Sequence, residues 1–471
     1  MASSVELSPF FQQKKANGLI VVKDPPKFDL ESYISNYDGA TRIERLHHIG
    51  STSTYLAVDA YRTAIAEAKR GKSVKLYLTL VEEFANIAPN DPLALVDTAW
   101  AERKTREVKE EQDKLEHELK SYKNNLIKES IRMGNEDLGH FYYACGDYPN
   151  AFKAYTRMRE HSTSSRHIAD MTLLLVYVGI AQKSWISVGS NVAKLDSLQL
   201  KGDEKTKLEP IASAVLGLSQ MCGGNLREAA GHFINTSPIF LNLDSAAGIV
   251  WQREVLSAND IAVYGGLCAL ASMDRSELQT HVLSNSDFRN FLELEPHIRR
   301  AITLFCNSKY SACLEVLEGY RTDYLLDVYL SRILSAIYSK IRTKSIVQYF
   351  IPFSCVTLDE MANKFQLTGE YGTIEEELED MINSSVLDAR IDLVDRLLIS
   401  PQTNPRYNVH ADALTMAENY DHTLRLRLTR INLLSAGLQV QPEKAQTKEA
   451  PHGLTEGIGA SLRGLGSRIL G

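Results

Sequence analysis

The chain has 471 residues, enough for two or three domains with sizeable cores. Its 44% hydrophobic and 24% charged residues are ordinary for a folded soluble chain, and its net charge of −7 gives no overall attraction to the phosphates of nucleic acid. No apolar run reaches the roughly 18 residues that a membrane span needs, so neither a membrane nor a nucleic acid is expected as a partner.

Residues 1–27 are mixed and polar, lack a basic-then-apolar leader and meet Pro25-Pro26 at their end; they are expected to be a mobile N-terminal segment. From Leu30 the pattern is helical almost throughout, and residues 28–245 read as a helical-repeat domain. Within 97–134, Val108, Leu115, Leu119, Tyr122 and Leu126 recur at spacings of 7, 4, 3 and 4, a narrow stripe on one long, charge-rich helix whose charges form a solvated face. An internal repeat follows. Gly139, Gly146, Ala151 and Tyr155 in "DLGHFYYACGDYPNAFKAY" return as Gly217, Gly224, Ala229 and Phe233 in "GLSQMCGGNLREAAGHF", each shifted by 78 residues. Midway, Trp185, Val188 and Val192 match Tyr148, Ala151 and Tyr155 at 37 residues. A period of 37–41 residues is that of a helix–turn–helix solenoid of the tetratricopeptide (TPR-like) kind. The small residues are expected where paired helices cross closely, with the aromatic filling the space between layers. "SKYSACLEVL" continues the theme at Tyr310, Cys313 and Leu317.

"VYLSRILSAIYSKIRTKSIVQYF" (328–350) reads as a long buried helix, which Pro352 should stop by pushing Ile351 out of helical geometry. "TLDE" and "TIEE" are then capping boxes, Thr357 with Glu360 and Thr373 with Glu376, and start two short helices around the glycine turn "LTGEYG" (367–372). "VLDARIDL" alternates apolar and polar residues, and "DRLLIS" follows as its partner strand. Helix, helix–turn–helix and two-stranded ribbon make a winged helix at about 345–400. Its second helix carries Glu375, Glu376, Glu377, Glu379 and Asp380 and neither Lys nor Arg, a charge sign that repels DNA. Protein contact along the ribbon edge fits better, with Leu387 and Ile391 as candidate contacts. Residues 406–440 read as a C-terminal helix with Leu414, Ala417, Leu424, Leu428, Ile431 and Leu438 on one stripe, a candidate surface for bundling with partner helices. The glycine-rich tail, 441–471, is expected to be disordered.

The motifs of enzyme chemistry are missing from the sequence. "AKRGKS" lacks the first glycine of a phosphate loop, Ala66 standing there, and "GIGASLRGLG" lacks both the third glycine and the preceding strand of a dinucleotide fingerprint. There is no HExxH, no HxH with a downstream Asp and no GxSxG. The adjacent His47 and His48 would point about 100° apart on a helix and could not easily share a metal. Cysteines 145, 222, 268, 306, 313 and 355 form no CxxC pair and suit a reducing compartment. No catalytic residue, cofactor site or metal ligand is assigned.

A helical solenoid running into a winged helix resembles the PCI-domain scaffold subunits of the proteasome lid, the COP9 signalosome and an initiation-factor complex. "RIERLHHI" (42–49), "LIKESIRMGNEDLGHFYYACGDYPNAFKAY" (126–155), "DIAVYGGLCALASMDRSELQ" (260–279) and "FLELEP" (291–296) are similar to the signalosome branch, over roughly 28–438. "YGGLCALA" separates that branch from the lid. The resemblance implies a mostly α fold with a PCI domain at 246–405. It implies a non-catalytic role in removing Nedd8 from cullin ubiquitin ligases, the zinc site lying on another subunit. Neighbouring subunits would be met through the winged helix and the C-terminal helix, in nucleus and cytoplasm. The competing readings are a proteasome-lid subunit and a winged-helix nucleic-acid regulator.

Overall fold

The computed structural model describes residues 9–198, 202–365, 373–401 and 405–438. The predicted turn at 367–372 and the tail from 441 lie outside them. The chain divides into two units at Ser400/Pro401.

Residues 9–27 are not the mobile segment expected from their polarity. They begin with helix α1 (Pro9–Ala16), whose Phe11 is buried. Lys14 Nζ donates to the Ser51 carbonyl at 2.8 Å, and Val22 pairs with Ser53 in a parallel bridge. The next helices are α2 (Leu30–Ile34), α3 (Gly39–Thr52), α4 (Ala57–Arg70) and α5 (Val74–Ile87). Asp29 and Ser73 cap α2 and α5 by accepting from Ser32 N–H and Leu76 N–H. One apolar face from each helix builds a core of its own, including Leu46, Ile49, Tyr61, Leu80 and Phe84, and Leu326 joins it from far along the chain.

Helix α6 (Thr98–Asn124) is the long charged helix. Its Leu115, Leu119 and Tyr122 pack on Ile131 and Leu138. The expected fifth member of the stripe, Leu126, is 81% exposed and left-handed (φ 56°), because the helix has already ended at Asn124.

Three helix pairs follow: α7 (Lys128–Cys145) with α8 (Tyr148–Arg157), α9 (Ser165–Ala181) with α10 (Trp185–Ser197), and α11 (Gly202–Cys222) with α12 (Leu226–Ile234). The repeat read from the sequence has a steric basis. A Cβ on Gly139 would lie 2.3 Å from the Tyr155 ring, and one on Gly217 would lie 2.8 Å from the Phe233 ring. In the middle pair the same relation links Gly179 and Val188, at 2.9 Å. Beyond a short turn, α13 (Trp251–Glu254), comes α14 (Ala258–Ser272), started by a capping box between Ser257 and Asp260. Helix α14 is buried on nearly every side. Its Gly265 and Gly266 admit Phe233 and Ile298, a Cβ on Gly266 falling 2.2 Å from Ile298 Cγ2. This is the physical content of "YGGLCALA". Helices α15 (Ser286–Leu292), α16 (Pro296–Cys306) and α19 (Leu334–Phe350) pack on it, while α17 (Tyr310–Gly319) packs on α16 and α19 and leads into α18 (Arg321–Leu325). One apolar core runs from Ala151 to Leu398, so the boundary drawn at 245/246 crosses no break in packing.

The winged helix is β1 (Cys355–Thr357), α20 (Leu358–Lys364), α21 (Ile374–Asn383), β2 (Arg390–Asp392) and β3 (Leu397–Ile399). Its sheet has three antiparallel strands in the order β1-β3-β2, where the sequence suggested two. The extra strand, only three residues long, is too short to show a period. Ile351 remains helical (φ −45°, ψ −45°), its N–H still bonded to the Val347 carbonyl. Pro352 ends α19 by bringing no donor rather than by unwinding its neighbour. Thr357 and Thr373 do cap α20 and α21. Glu360 closes no box, since its carboxylate accepts from Tyr349 Oη at 3.1 Å. In the second unit, α22 spans Pro405–Ser435.

Candidate partner-binding surfaces

A buried polar cluster joins the N-terminal helices to α14. Arg45, from "RIERLHHI", is 1% exposed. Its Nη1 donates to Asp327 at 2.7 Å and its Nη2 to Asp260 at 2.8 Å. Tyr264 Oη and Tyr37 Oη donate to the same two carboxylates, at 2.7 and 2.8 Å, and the guanidinium lies 4.0 Å from the centre of the Tyr37 ring. Burial pushes the Asp260 carboxyl up, with Arg45 opposing it. Burial acts on Asp327 too, but Arg45 and the N–H of Leu330 outweigh it and hold that carboxyl below its ordinary range. A buried cation on two carboxylates thus ties the N-terminal layer to α14 and to the entry of α19. Arg253 to the carbonyl of Ser35 and Thr41 to that of Glu254 add to the seam. Sequence reading flagged the two motifs but missed Asp327, Tyr37 and Tyr33, whose Oη accepts from Arg45 Nη1 at 2.6 Å, and no local spacing links these three to the motifs. His47 and His48 turn to different partners, Glu83 at 2.6 Å and the Leu325 carbonyl at 3.3 Å.

Within the winged helix, Arg342 of α19 grips Glu377 of α21 with Nε and Nη2 at 2.6 and 2.9 Å, the two side chains 13% and 4% exposed. Of the five acids of α21, Glu377 is therefore internal. Glu376, Glu379 and Asp380 face solvent, and half-buried Glu375 meets Arg396 of the wing at 2.9 Å. The surface of this helix remains acidic. Leu387, a candidate contact, is 4% exposed and belongs to the core, so it is not open to a partner. It follows the turn after α21 with its side chain inward, which alternation alone assigned to the ribbon. Ile391 sits on β2 opposite Leu398 and is half-buried. The exposed apolar residues are Leu393 and Val394 at the wing tip, 74% and 91% exposed. Sequence reading passed over them, although "LV" between the acidic turn residues Asp392 and Asp395 is the signal that could have found them. Strand β2 pairs with β3 on one side only, among the described residues.

On α22 every residue whose burial is described is exposed. Leu414, Ala417, Leu424, Leu428 and Ile431 share one face of it, as the spacing predicts. Leu438 does not: the helix ends at Ser435, and Gly437 (φ 67°) folds the chain back so that Leu438 N–H reaches the Leu433 carbonyl. Leu426 and Leu433, 57% and 43% exposed, lie about 180° from the stripe, so the helix is apolar on two sides.

The chain is 50% identical over 96% of its length to the COP9 signalosome complex subunit 1 of Emericella nidulans, covering 91% of that protein. It is 36% identical over 90% of its length to the protein of the same name in Arabidopsis thaliana, covering 93% of it. It belongs to the COP9 signalosome subunit 1 family. A 26S proteasome non-ATPase regulatory subunit 6, from Caenorhabditis elegans, is more distant, at 22% identity over 61% of the chain and 68% of that protein. The family model for the 26S proteasome subunit RPN7 matches residues 97–281, and that for the PCI domain matches 317–402. In this subunit 1 family member the PCI match thus covers α18, α19 and the whole winged helix and stops just short of α22. Two of the four stretches that suggested the signalosome branch, 42–49 and 260–279, build the Arg45 seam and the close approaches of α14.

Proposed function

We propose that this chain is a non-catalytic scaffold subunit of the COP9 signalosome, supporting removal of Nedd8 from the cullin subunits of SCF-type ubiquitin ligases and so regulating ubiquitin-dependent degradation. The observation that carries this reading is likeness along nearly the whole chain to proteins named as signalosome subunit 1. Two surfaces suit assembly. Helix α22 exposes leucines on two sides, which a bundle with partner helices would cover. The wing offers an unpaired strand edge at β2 with Leu393 and Val394 beside it. Leu414, Ala417, Leu424, Leu428 and Ile431 are the proposed bundle contacts, and Ile391 lies on the proposed edge. Cullin ligases are reached through other subunits, no nucleic acid or membrane is engaged, and the protein works in nucleus and cytoplasm.

Affinity purification of the tagged full chain from its own cells, with mass spectrometry of what co-purifies, tests the reading. Stoichiometric recovery of the other signalosome subunits is expected. Recovery of proteasome-lid subunits in their place would favour the second reading, to which the match to the RPN7 model over 97–281 points.

A further inference from the structure

A cavity of about 260 Å3 lies beside the Arg45 seam and shares Tyr37, Asp260, Tyr264 and Asp327 with it. Its other wall comes from Glu295, His297 and the end of α17 with α18. There the Tyr320 ring stacks on His297, centroids 3.9 Å apart at 14°. His297 Nε2 and Tyr324 Oη share a hydrogen bond of 2.8 Å, and Glu295 accepts from Asn259 at 2.7 Å. The charges do not balance. Arg45 answers Asp260 and Asp327, Glu295 lies 3.3 Å from His297 Nδ1, and Asp323 has Lys27, the one lysine among the lining residues, so the four carboxylates outnumber the fixed cations Arg45 and Lys27. Burial pushes the Asp323 carboxyl up, with the N–H and the charge of Lys27 opposing it.

What this wall already holds is a lysine at a bend in the chain. Lys27 follows Pro25-Pro26, is itself exposed, donates its backbone N–H to Asp323 at 2.9 Å and sets its Nζ 3.9 Å from the centre of the Tyr320 ring. An aromatic face with carboxylates around it favours an alkylammonium over a neutral group. The aromatic and acidic walls continue past Lys27 into the cavity, where Tyr33 and Phe28 complete them. We propose that this cavity is a docking site for a lysine side chain carried on a peptide segment of a partner protein, and that Lys27 occupies it in cis as a competing ligand. The inference does not rest on the signalosome reading.

The test is calorimetric titration of the full chain and its Lys27→Ala variant with a synthetic peptide, acetyl-Asp-Pro-Pro-Lys-Phe-Asp-amide. The wild type should bind it weakly and Lys27→Ala roughly fivefold more tightly, the scale of one cation–π contact. The Nε-acetyl-lysine form of the peptide should lose the gain, as should Tyr320→Leu or Asp323→Asn placed in the Lys27→Ala chain. Equal affinity of the two chains, no binding by either, or equal binding of the acetylated peptide would overturn the proposal. So would binding of n-butylammonium by Lys27→Ala without peptide binding, which would make Lys27 a latch within the chain only.

Discussion

Gly139 shows how a single residue serves this fold. A methyl group there would meet the Tyr155 ring at 2.3 Å, well inside contact distance. At an unconstrained helical position Gly→Ala stabilises by about 1 kcal/mol; here overpacking should reverse the sign. Gly139→Ala, and Gly217→Ala against Phe233, should each cost about 1–3 kcal/mol, read as a lowered midpoint in urea unfolding. An unchanged or raised midpoint would mean that the ring moves aside freely. Lys344 gives a pH signature. Its Nζ caps the end of α14 through the carbonyls of Leu270 and Met273, and burial lowers its pKa from 10.5 to about 8, nearby acids such as Asp274 opposing. Between those two values the unfolded chain binds more protons than the folded one, so this group makes stability rise with pH over that window. Relative to Lys344→Met, the wild type should gain up to roughly 3 kcal/mol from pH 8 to 10.5. A flat difference between the two unfolding series would remove the buried ammonium from the account.

Among the elements, α21 decides what the winged helix can touch. The Arg342–Glu377 pair fixes the helix, and the outward carboxylates set its field. Glu377→Gln leaves the Arg342 charge without its carboxylate in a largely buried place and should cost about 3 kcal/mol, seen as a lowered melting temperature. The full chain should show no submicromolar, salt-sensitive binding to duplex DNA in fluorescence anisotropy; such a complex would overturn the protein-contact reading of this helix. The element also marks a limit of pattern reading. Thr373, the acidic run and the alternation at 386–393 were all legible, yet which acid turns inward was not. Glu377 is chosen by Arg342, 35 residues earlier, and local spacing cannot express that. Leu387 fails as a partner contact for the same reason: alternation gives two faces without saying which one meets the core.

For the whole molecule, assembly should depend on α22. Leu424, Leu428 and Ile431 are 40%, 58% and 59% exposed, and burying what remains would give each about 1–2 kcal/mol. Replacing all three with Asp should leave the melting temperature of the isolated chain unchanged and should release it from partners on affinity purification. Full retention would mean that the bundle reading fails. Changes at the wing, such as Val394→Asp, should instead weaken one neighbour selectively, because a strand edge adds directional hydrogen bonds but little apolar area.

By itself the sequence determined the class of the fold. A repeat of 37–41 residues with glycine facing an aromatic, a proline at the end of a buried helix and two threonine caps are local signals, and each is carried by a few neighbouring residues. The tertiary structure alone decided what joins distant segments. Arg45, Asp260 and Asp327 meet across more than 200 residues, and the N-terminal segment lays Lys27 on Tyr320. Segment 9–27 looked mobile because its few apolar residues have no partner nearby in sequence, whereas α3 and its flank supply one in space. Periodicity reports how an element presents its faces, but a buried charge finds its counter-charge only when the chain has closed around it.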